Sequence, residues 1–329
     1  MIITQTPLRV SFAGGGTDLQ AFYGLHEGAV VSTAIDKYVF LIVKERFDSK
    51  IYLNYSTKEI VDSVDEIQHD IFREALRLVG VESGVEITSL ADIPSSGSGL
   101  GSSSSFTVGL LNALYVYANN PQPAERLAQD ACKIEIEILG KPIGKQDQYI
   151  AAYGGLRKFT FKKDETVENR LINLNNEEKR RFGSQIQLFF TDITRKADAI
   201  LSEQKRTTVN KQDALLEMKN QVDKIVESLE NDNFHEVGKI LHSGWELKKS
   251  LASKISNPSI NEMYQIARDF GAIGGKICGA GGGGFLLTSC SREKQTNLRK
   301  GLKDFKEMPF MLEDSGSKVI FNIARYTWK

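Results

Sequence analysis

The residues best suited to chemistry in this sequence lie in Pro94-Ser95-Ser96-Gly97-Ser98-Gly99-Leu100-Gly101-Ser102-Ser103-Ser104-Ser105. Glycines let a backbone fold close to a bulky anion. The serines that follow would occupy the first turn of a helix, where free N–H groups and the positive dipole end favour phosphate. Their hydroxyls add neutral donors and an oxygen ligand for a hard cation. A flexible Gly/Ser linker is the plainer alternative, but a linker is not flanked so tightly by a strand and an apolar-periodic helix. The order is not the G-x-x-x-x-G-K-[ST] of a Walker loop.

Two further glycine clusters stand at Gly14–Gly16 and Gly279–Gly284. The last matches G-x-G-x-x-G in letters, yet a dinucleotide fingerprint must open a helix. Here Phe285-Leu286-Leu287-Thr288 reads as a strand, so a hairpin tip is expected, with room for a ligand or another loop. Asp269-Phe270-Gly271 imitates the metal-binding triplet of protein kinases, but no H-R-D-x-x-x-x-N accompanies it, and it ends an amphipathic helix. Three cysteines without C-x-x-C and four histidines without metal-ligand spacing argue against a disulfide scaffold and a zinc site.

These loops need elements to hold them. Leu8–Ala13 reads as a strand entering the first cluster. Ala29–Ile35 and Tyr38–Lys44 read as a hairpin turning at Asp36-Lys37. Helices are expected over Asp70–Val79, Ser103–Ala118, Pro123–Leu139, Lys196–Ser228, Asn233–Lys254, Pro258–Phe270 and Arg292–Phe305, with strands over 84–90, 154–161, 185–192, 272–278, 284–289 and 318–323. Charge-rich Lys162–Phe182 reads as a solvated connection and the candidate boundary, giving domains 1–170 and 171–329. Strands and helices mix without strict βαβ periodicity, so the fold class is α+β.

Length fits about two domains of roughly 150 residues. Lys+Arg and Asp+Glu are each 42, which argues against a generally basic nucleic-acid binder. No signal peptide and no run of about 18 apolar residues is visible, so a cytoplasmic protein that avoids the membrane is expected. Oligomeric state is not legible.

Three segments together resemble the GHMP small-molecule kinases: Thr6-Pro7-Leu8-Arg9-Val10-Ser11-Phe12-Ala13-Gly14-Gly15-Gly16-Thr17-Asp18, Pro94 through Ser103, and Lys276 through Gly284. The second matches P-x-x-x-G-L-G-S-S with one additional residue before Gly99. Gly-Gly-Gly-Thr-Asp at 14–18, Ser32 through Tyr38 and Pro142 through Tyr149 resemble most the branch of D-glycero-D-manno-heptose 7-phosphate kinases. An L-fucokinase-like or galactokinase-like member is the alternative, and a catalytically silent paralogue a lesser one.

The resemblance implies an N-terminal domain like domain 2 of ribosomal protein S5 and a ferredoxin-like C-terminal domain. ATP and a sugar or sugar-phosphate acceptor would meet in the cleft between them. It implies that Gly97, Ser98, Gly99, Leu100, Gly101, Ser102, Ser103 and Ser104 hold the ATP phosphates. Ser103 would also reach Mg2+. The second Mg2+ ligand would be an acidic residue before the Gly140-Lys141-Pro142 turn. Glu135 is the family position and Glu137 the competitor; two residues apart on a helix, only one can face the site. Asp147 would act as general base or only orient the acceptor hydroxyl. Arg9 would stabilise developing charge. Thr17, Asp18, Gly281 and Gly282 would meet the substrate. A phosphorylated acceptor also needs a basic clamp, and no lysine or arginine is marked for it by spacing.

Overall fold

The computed structural model describes residues 1–93, 97–194 and 198–323. Pro94, Ser95 and Ser96 of the serine-glycine stretch, and the starting Lys196 of one expected helix, lie outside the described residues. The chain runs through β1 (Ile2–Ala13), α1 (Gln20–His26), β2 (Gly28–Glu45), β3 (Ile51–Asn54), β4 (Lys58–Val61), α2 (Asp70–Val79), β5 (Val85–Ala91), α3 (Ser102–Tyr117), α4 (Ala124–Cys132), α5 (Gln146–Tyr153), β6 (Leu156–Phe161) and β7 (Val167–Leu171). It continues through α6 (Asn176–Gly183), β8 (Ile186–Phe190), α7 (Asp198–Thr207), α8 (Gln212–Glu230), α9 (Phe234–Lys249), α10 (Pro258–Asp269), β9 (Gly274–Ile277), β10 (Phe285–Ser289), α11 (Gln295–Gly301), β11 (Leu312–Glu313) and β12 (Lys318–Asn322).

Two sheets result. The first runs β12-β1-β2-β5-β3-β4, with β6 and β11 branching from β2 and β7 joined through β6; the second is the antiparallel β8-β10-β9. The mixture of strands and helices agrees with the α+β expectation. Helix α3 is apolar nearly all round and buried, packed on β1 and β2. That burial fixes its first turn, and with it the serines.

Residues 28–45 form one strand, not the expected hairpin. Both halves pair with β1, but the register jumps from Pro7↔Tyr38 to Leu8↔Ile35, so Asp36 and Lys37 bulge out unmatched. A two-residue hairpin turn needs positive φ, which neither residue adopts. The opposite edge of β2 is divided among β6 along Gly28–Thr33, β11 at Ala34–Ile35, and β5 along Val39–Glu45.

The charged stretch 162–182 is not a bare connection. It contains β7, an edge strand on β6, and α6. A capping box starts α6: Asn175 accepts from the amides of Glu177 and Glu178, while Glu178 accepts from the amide of Asn175. The expected helix to Ser228 divides at the 3-10 turn Thr208–Lys211. Thr207 and Thr208 turn their hydroxyls back onto the carbonyls of Glu203 and Gln204 there. The helix expected to end at Leu139 continues α4 as a wider π-helical turn, Lys133–Ile138.

Candidate active site

Helix α3 begins at Gly101, which takes the left-handed φ of 79° and offers no side chain to cap the helix. Its first amides therefore face a cavity of about 300 Å³ lined by Gly97, Ser98, Gly99, Gly101, Ser102, Ser103 and Ser104. Leu100 does not line the cavity: its side chain is fully buried, and its carbonyl accepts from the Arg9 amide at 3.0 Å. That bond ties the loop to β1.

Arg9 and Asp147 meet on this floor. Nε and Nη2 of Arg9 each donate to one Asp147 oxygen at 2.7 Å, and Nη1 donates to the Gly99 carbonyl. Burial alone would lower the Arg9 pKa, but the Asp147 charge and hydrogen bond outweigh it and raise it. Asp147 sits in the first turn of α5, with about a quarter of its side chain open to the cavity. Lone pairs not used by Arg9 remain able to accept a hydroxyl.

Asp18 lines the same cavity and is buried. Its Oδ1 accepts from the Gly16 amide at 2.9 Å, and its Oδ2 from the Gln146 side chain at 3.0 Å. Burial pushes the Asp18 carboxyl up from its ordinary value, against the pull of the Gly16 amide. Thr17 does not meet the cavity. It is fully buried, and its hydroxyl donates to the carbonyls of Gly14 and Ala29 and accepts from the Ala29 amide. The expected substrate contact becomes a brace that holds the first glycine turn.

Glu135, not Glu137, faces the site: Glu135 is fully buried and Glu137 exposed. The Ser103 hydroxyl donates to Glu135 Oε1 at 2.8 Å, and Gln148 donates to Oε2 at 2.8 Å. The Lys141 ammonium stands 3.6 Å from Glu135 and reaches the Ser103 hydroxyl at 3.5 Å. A hydroxyl and a carboxylate at a helix N-terminus form an oxygen-only donor set, which suits Mg2+. Among the described residues no group of three or more His, Cys, Asp or Glu could hold a metal unaided. Mg2+ would therefore need phosphate oxygens and water to complete its shell.

The third glycine cluster does form a strand–turn–strand, between β9 and β10. Its tip lies partly against other loops and partly along the cavity, which Gly279, Ala280, Gly281 and Gly283 line. A Cβ on Gly279 would lie 2.7 Å from the Gly99 Cα, and one on Gly284 would lie 2.4 Å from the Ser98 carbonyl oxygen. Gly281 borders the cavity, whereas Gly282 does not: its amide donates to the Ile255 carbonyl. The cluster is glycine because two backbones touch there.

Residues 63–155 match the profile of the GHMP kinases N terminal domain, and residues 225–307 that of the GHMP kinases C terminal. The chain is 32% identical to the D-glycero-alpha-D-manno-heptose 7-phosphate kinase of Campylobacter jejuni subsp. jejuni serotype O:2, over 96% of this chain and 97% of that protein. The chain belongs to the GHMP kinase family. An L-fucokinase/L-fucose-1-P guanylyltransferase of Bacteroides fragilis shares 28% identity over 96% of this chain and 38% of its own length. A solved D-glycero-D-manno-heptose 1-phosphate kinase from Bacteriodes thetaiotaomicron superposes with a TM-score of 0.82 at 23% identity, covering 98% of this chain and all of that one, and shows the shared two-domain fold.

This GHMP kinase is a sugar kinase, transferring phosphate from ATP to a sugar hydroxyl. Among its described residues no helix is long and apolar enough to cross a membrane. Several cavity residues carry no mark in the sequence. Lys141 stands just before the matched segment 142–149 and Gln146 within it, next to Asp147, so both could have been found by neighbourhood. Gln204 and Lys248 lie on charge-rich helices, where nothing separates them from surface residues.

Proposed function

We propose that the enzyme phosphorylates the anomeric hydroxyl of D-glycero-α-D-manno-heptose 7-phosphate, giving the 1,7-bisphosphate, with Mg2+ held by Ser103 and Glu135. The observation that carries the reaction is the Arg9–Asp147 pair, set in one cavity between the bare N-terminus of α3 and the buried carboxylate of Asp18. Phosphoryl transfer asks the protein mainly for positioning and charge. The α3 amides and loop glycines seat the phosphates of ATP. Asp147 accepts the acceptor hydroxyl, orients it, and takes its proton as the bond to the γ-phosphorus forms and the bond from that phosphorus to the ADP oxygen breaks. Arg9 holds Asp147 in place through two hydrogen bonds and stabilises the oxygens that gain charge. Asp18 reads sugar hydroxyls, because a carboxylate accepts several O–H donors. Bound Mg2+ would supply further positive charge to the phosphate oxygens.

The substrate reading rests on the 32% identity to the heptose 7-phosphate kinase along nearly the whole chain. L-fucose is the second reading, favoured by the match to the Bacteroides fragilis protein. Side-by-side steady-state kinetics on heptose 7-phosphate, heptose, L-fucose and galactose decide between them. The phosphorylated heptose is expected to give the highest kcat/KM, by about tenfold or more, the worth of one charge-assisted contact. Equal or better turnover of a free sugar removes the heptose-phosphate assignment and leaves the kinase standing.

A further inference from the structure

A kinase acting on a sugar that already bears phosphate must seat a second anion away from ATP. Two lysines are buried at or near this cavity, and neither belongs to the serine-glycine loop. Lys248 of α9 lines the cavity, and its ammonium donates to the Gly279 carbonyl. Lys276 of β9 is equally buried and does not itself line the cavity, but the cavity-lining Cys278, Arg9 and Asp18 lie close enough to act on its charge.

The charges do not balance there. Arg9, Lys248 and Lys276 are three buried basic groups. Asp147 is taken up by Arg9, and Asp18 is held by the Gly16 amide and Gln146. The groups whose charge acts on Lys248 are Lys276, Arg9, Cys278 and Asp18, and no ion pair holds either lysine among the described residues. Burial keeps the Cys278 thiol protonated, so it offers no compensation. Unpaired buried ammonium groups are costly unless a ligand brings the opposite charge.

A second observation points to the same wall. Gln204 of α7 is buried and borders the cavity, and its amide nitrogen has no partner. The hydroxyl of Thr207 is shared between the Glu203 and Leu251 carbonyls, each at 3.0 Å, which ties the end of α7 to the turn after α9. Gln204 and Lys248 each stand three residues before those tied positions. The wall thus presents donors: an ammonium, a second ammonium behind it, and an unused amide N–H.

We propose that Lys248 and Lys276 form the seat for the phosphate that the acceptor sugar already carries, with the Gln204 amide as a neighbouring donor. This rests on the reading that the acceptor is a sugar phosphate. Burial, followed by repulsion from neighbouring cations, lowers Lys248 to about 7. Burial likewise lowers Lys276 to about 8. Near pH 8 the empty site is therefore partly deprotonated. An incoming phosphate dianion favours the charged lysines, so binding takes up protons, and affinity falls as pH rises above this range.

The test compares wild type, Lys248→Met and Lys276→Met on heptose 7-phosphate and on unphosphorylated heptose. The ratio of kcat/KM between the two sugars should fall about tenfold or more in each variant. An unchanged ratio, with both sugars losing equally, overturns the assignment, since the lysines would then serve the transferred phosphoryl or the fold. A wild type that does not prefer the phosphorylated sugar overturns the substrate reading itself and this assignment with it, and is recognised before any variant is made. Should a variant fail to fold, calorimetry on wild type keeps the question open to refutation. Binding of heptose 7-phosphate at pH 8, in two buffers of different ionisation enthalpy, should show proton uptake. No uptake overturns the assignment.

Discussion

Arg9 and Asp147 share two hydrogen bonds of 2.7 Å, so neither can change without releasing the other. In Asp147→Asn the amide keeps one acceptor and points N–H groups at a guanidinium. Both the hydroxyl-accepting charge and the placement of Arg9 are lost. We expect kcat to fall by about 10²–10⁴ while the ATP dissociation constant changes little, because the α3 amides that hold the nucleotide are untouched. Unchanged turnover would remove Asp147 from the reacting centre. The two nearby glutamates make a sharper pair. Glu135→Gln and Ser103→Ala should each raise the Mg2+ concentration needed for half-maximal rate, and Glu137→Gln should not, since Glu135 is buried against Ser103 and Glu137 is exposed. A Mg2+ titration of the three variants checks this, and a damaging Glu137→Gln would contradict it. The letters Ile134-Glu135-Ile136-Glu137 could say only that one of the two glutamates faces inward. Their neighbours are alike, and only the packing of Gln148 and Ser103 against one of them distinguishes it. Thr17 shows the opposite failure: adjacency to Asp18 suggested a shared task, but backbone carbonyls consume its hydroxyl.

At the scale of elements, the loops were legible because glycine is restricted in what it can mean. Three clusters pointed to close backbone approach, and two of them approach each other. Gly99 takes φ of 74°, and a Cβ there would stand 2.5 Å from the Cys278 carbonyl oxygen. Gly99→Ala should therefore cost about 2 kcal/mol or more in stability and weaken ATP binding, because the phosphate loop must move off the third glycine turn. Gly15→Ala is the control: its φ is not in the left-handed region and no atom lies within 4 Å of a Cβ built there. Its stability should stay within about 0.5 kcal/mol of wild type. Thermal melts and ATP titrations distinguish the two, and equal melting temperatures would mean the loops do not press on each other. The elements misread from sequence fail for a related reason. Asp36-Lys37 has turn-like polarity but no glycine, neither residue takes positive φ, and pairing with β1 on both sides absorbs the pair as a bulge. Val167–Leu171 reads as solvent-exposed charge because it is an edge strand, whose side chains stay wet.

Across the whole molecule, the segment after Met311 returns to the first sheet, a return that no local pattern announces. β12 pairs with β1 along Ile2–Gln5, and β11 pairs with β2 at Ala34 and Ile35. Ser317 lies between the elements that carry the site. Its hydroxyl meets Thr6 of β1 at 2.8 Å and accepts from Asn112 of α3 at 3.0 Å, and its amide donates to Ala151 of α5 at 2.8 Å. Gly154, just past α5, is glycine because a Cβ there would fall 2.1 Å from the Ser315 carbonyl carbon. Arg9, Ser103 and Asp147 sit on β1, α3 and α5 in turn, so their relative placement depends on this returning segment. A chain ended after Met311 should melt at a clearly lower temperature than the full chain. It should also lose kcat more severely than ATP affinity, because the α3 N-terminus survives within one helix while the Arg9–Asp147 pair spans two elements. Melting curves, ATP titration and steady-state kinetics on the shortened chain check this. A shortened chain with the melting temperature and kcat of the full one would mean that β11 and β12 are appended to a site already fixed by its own packing.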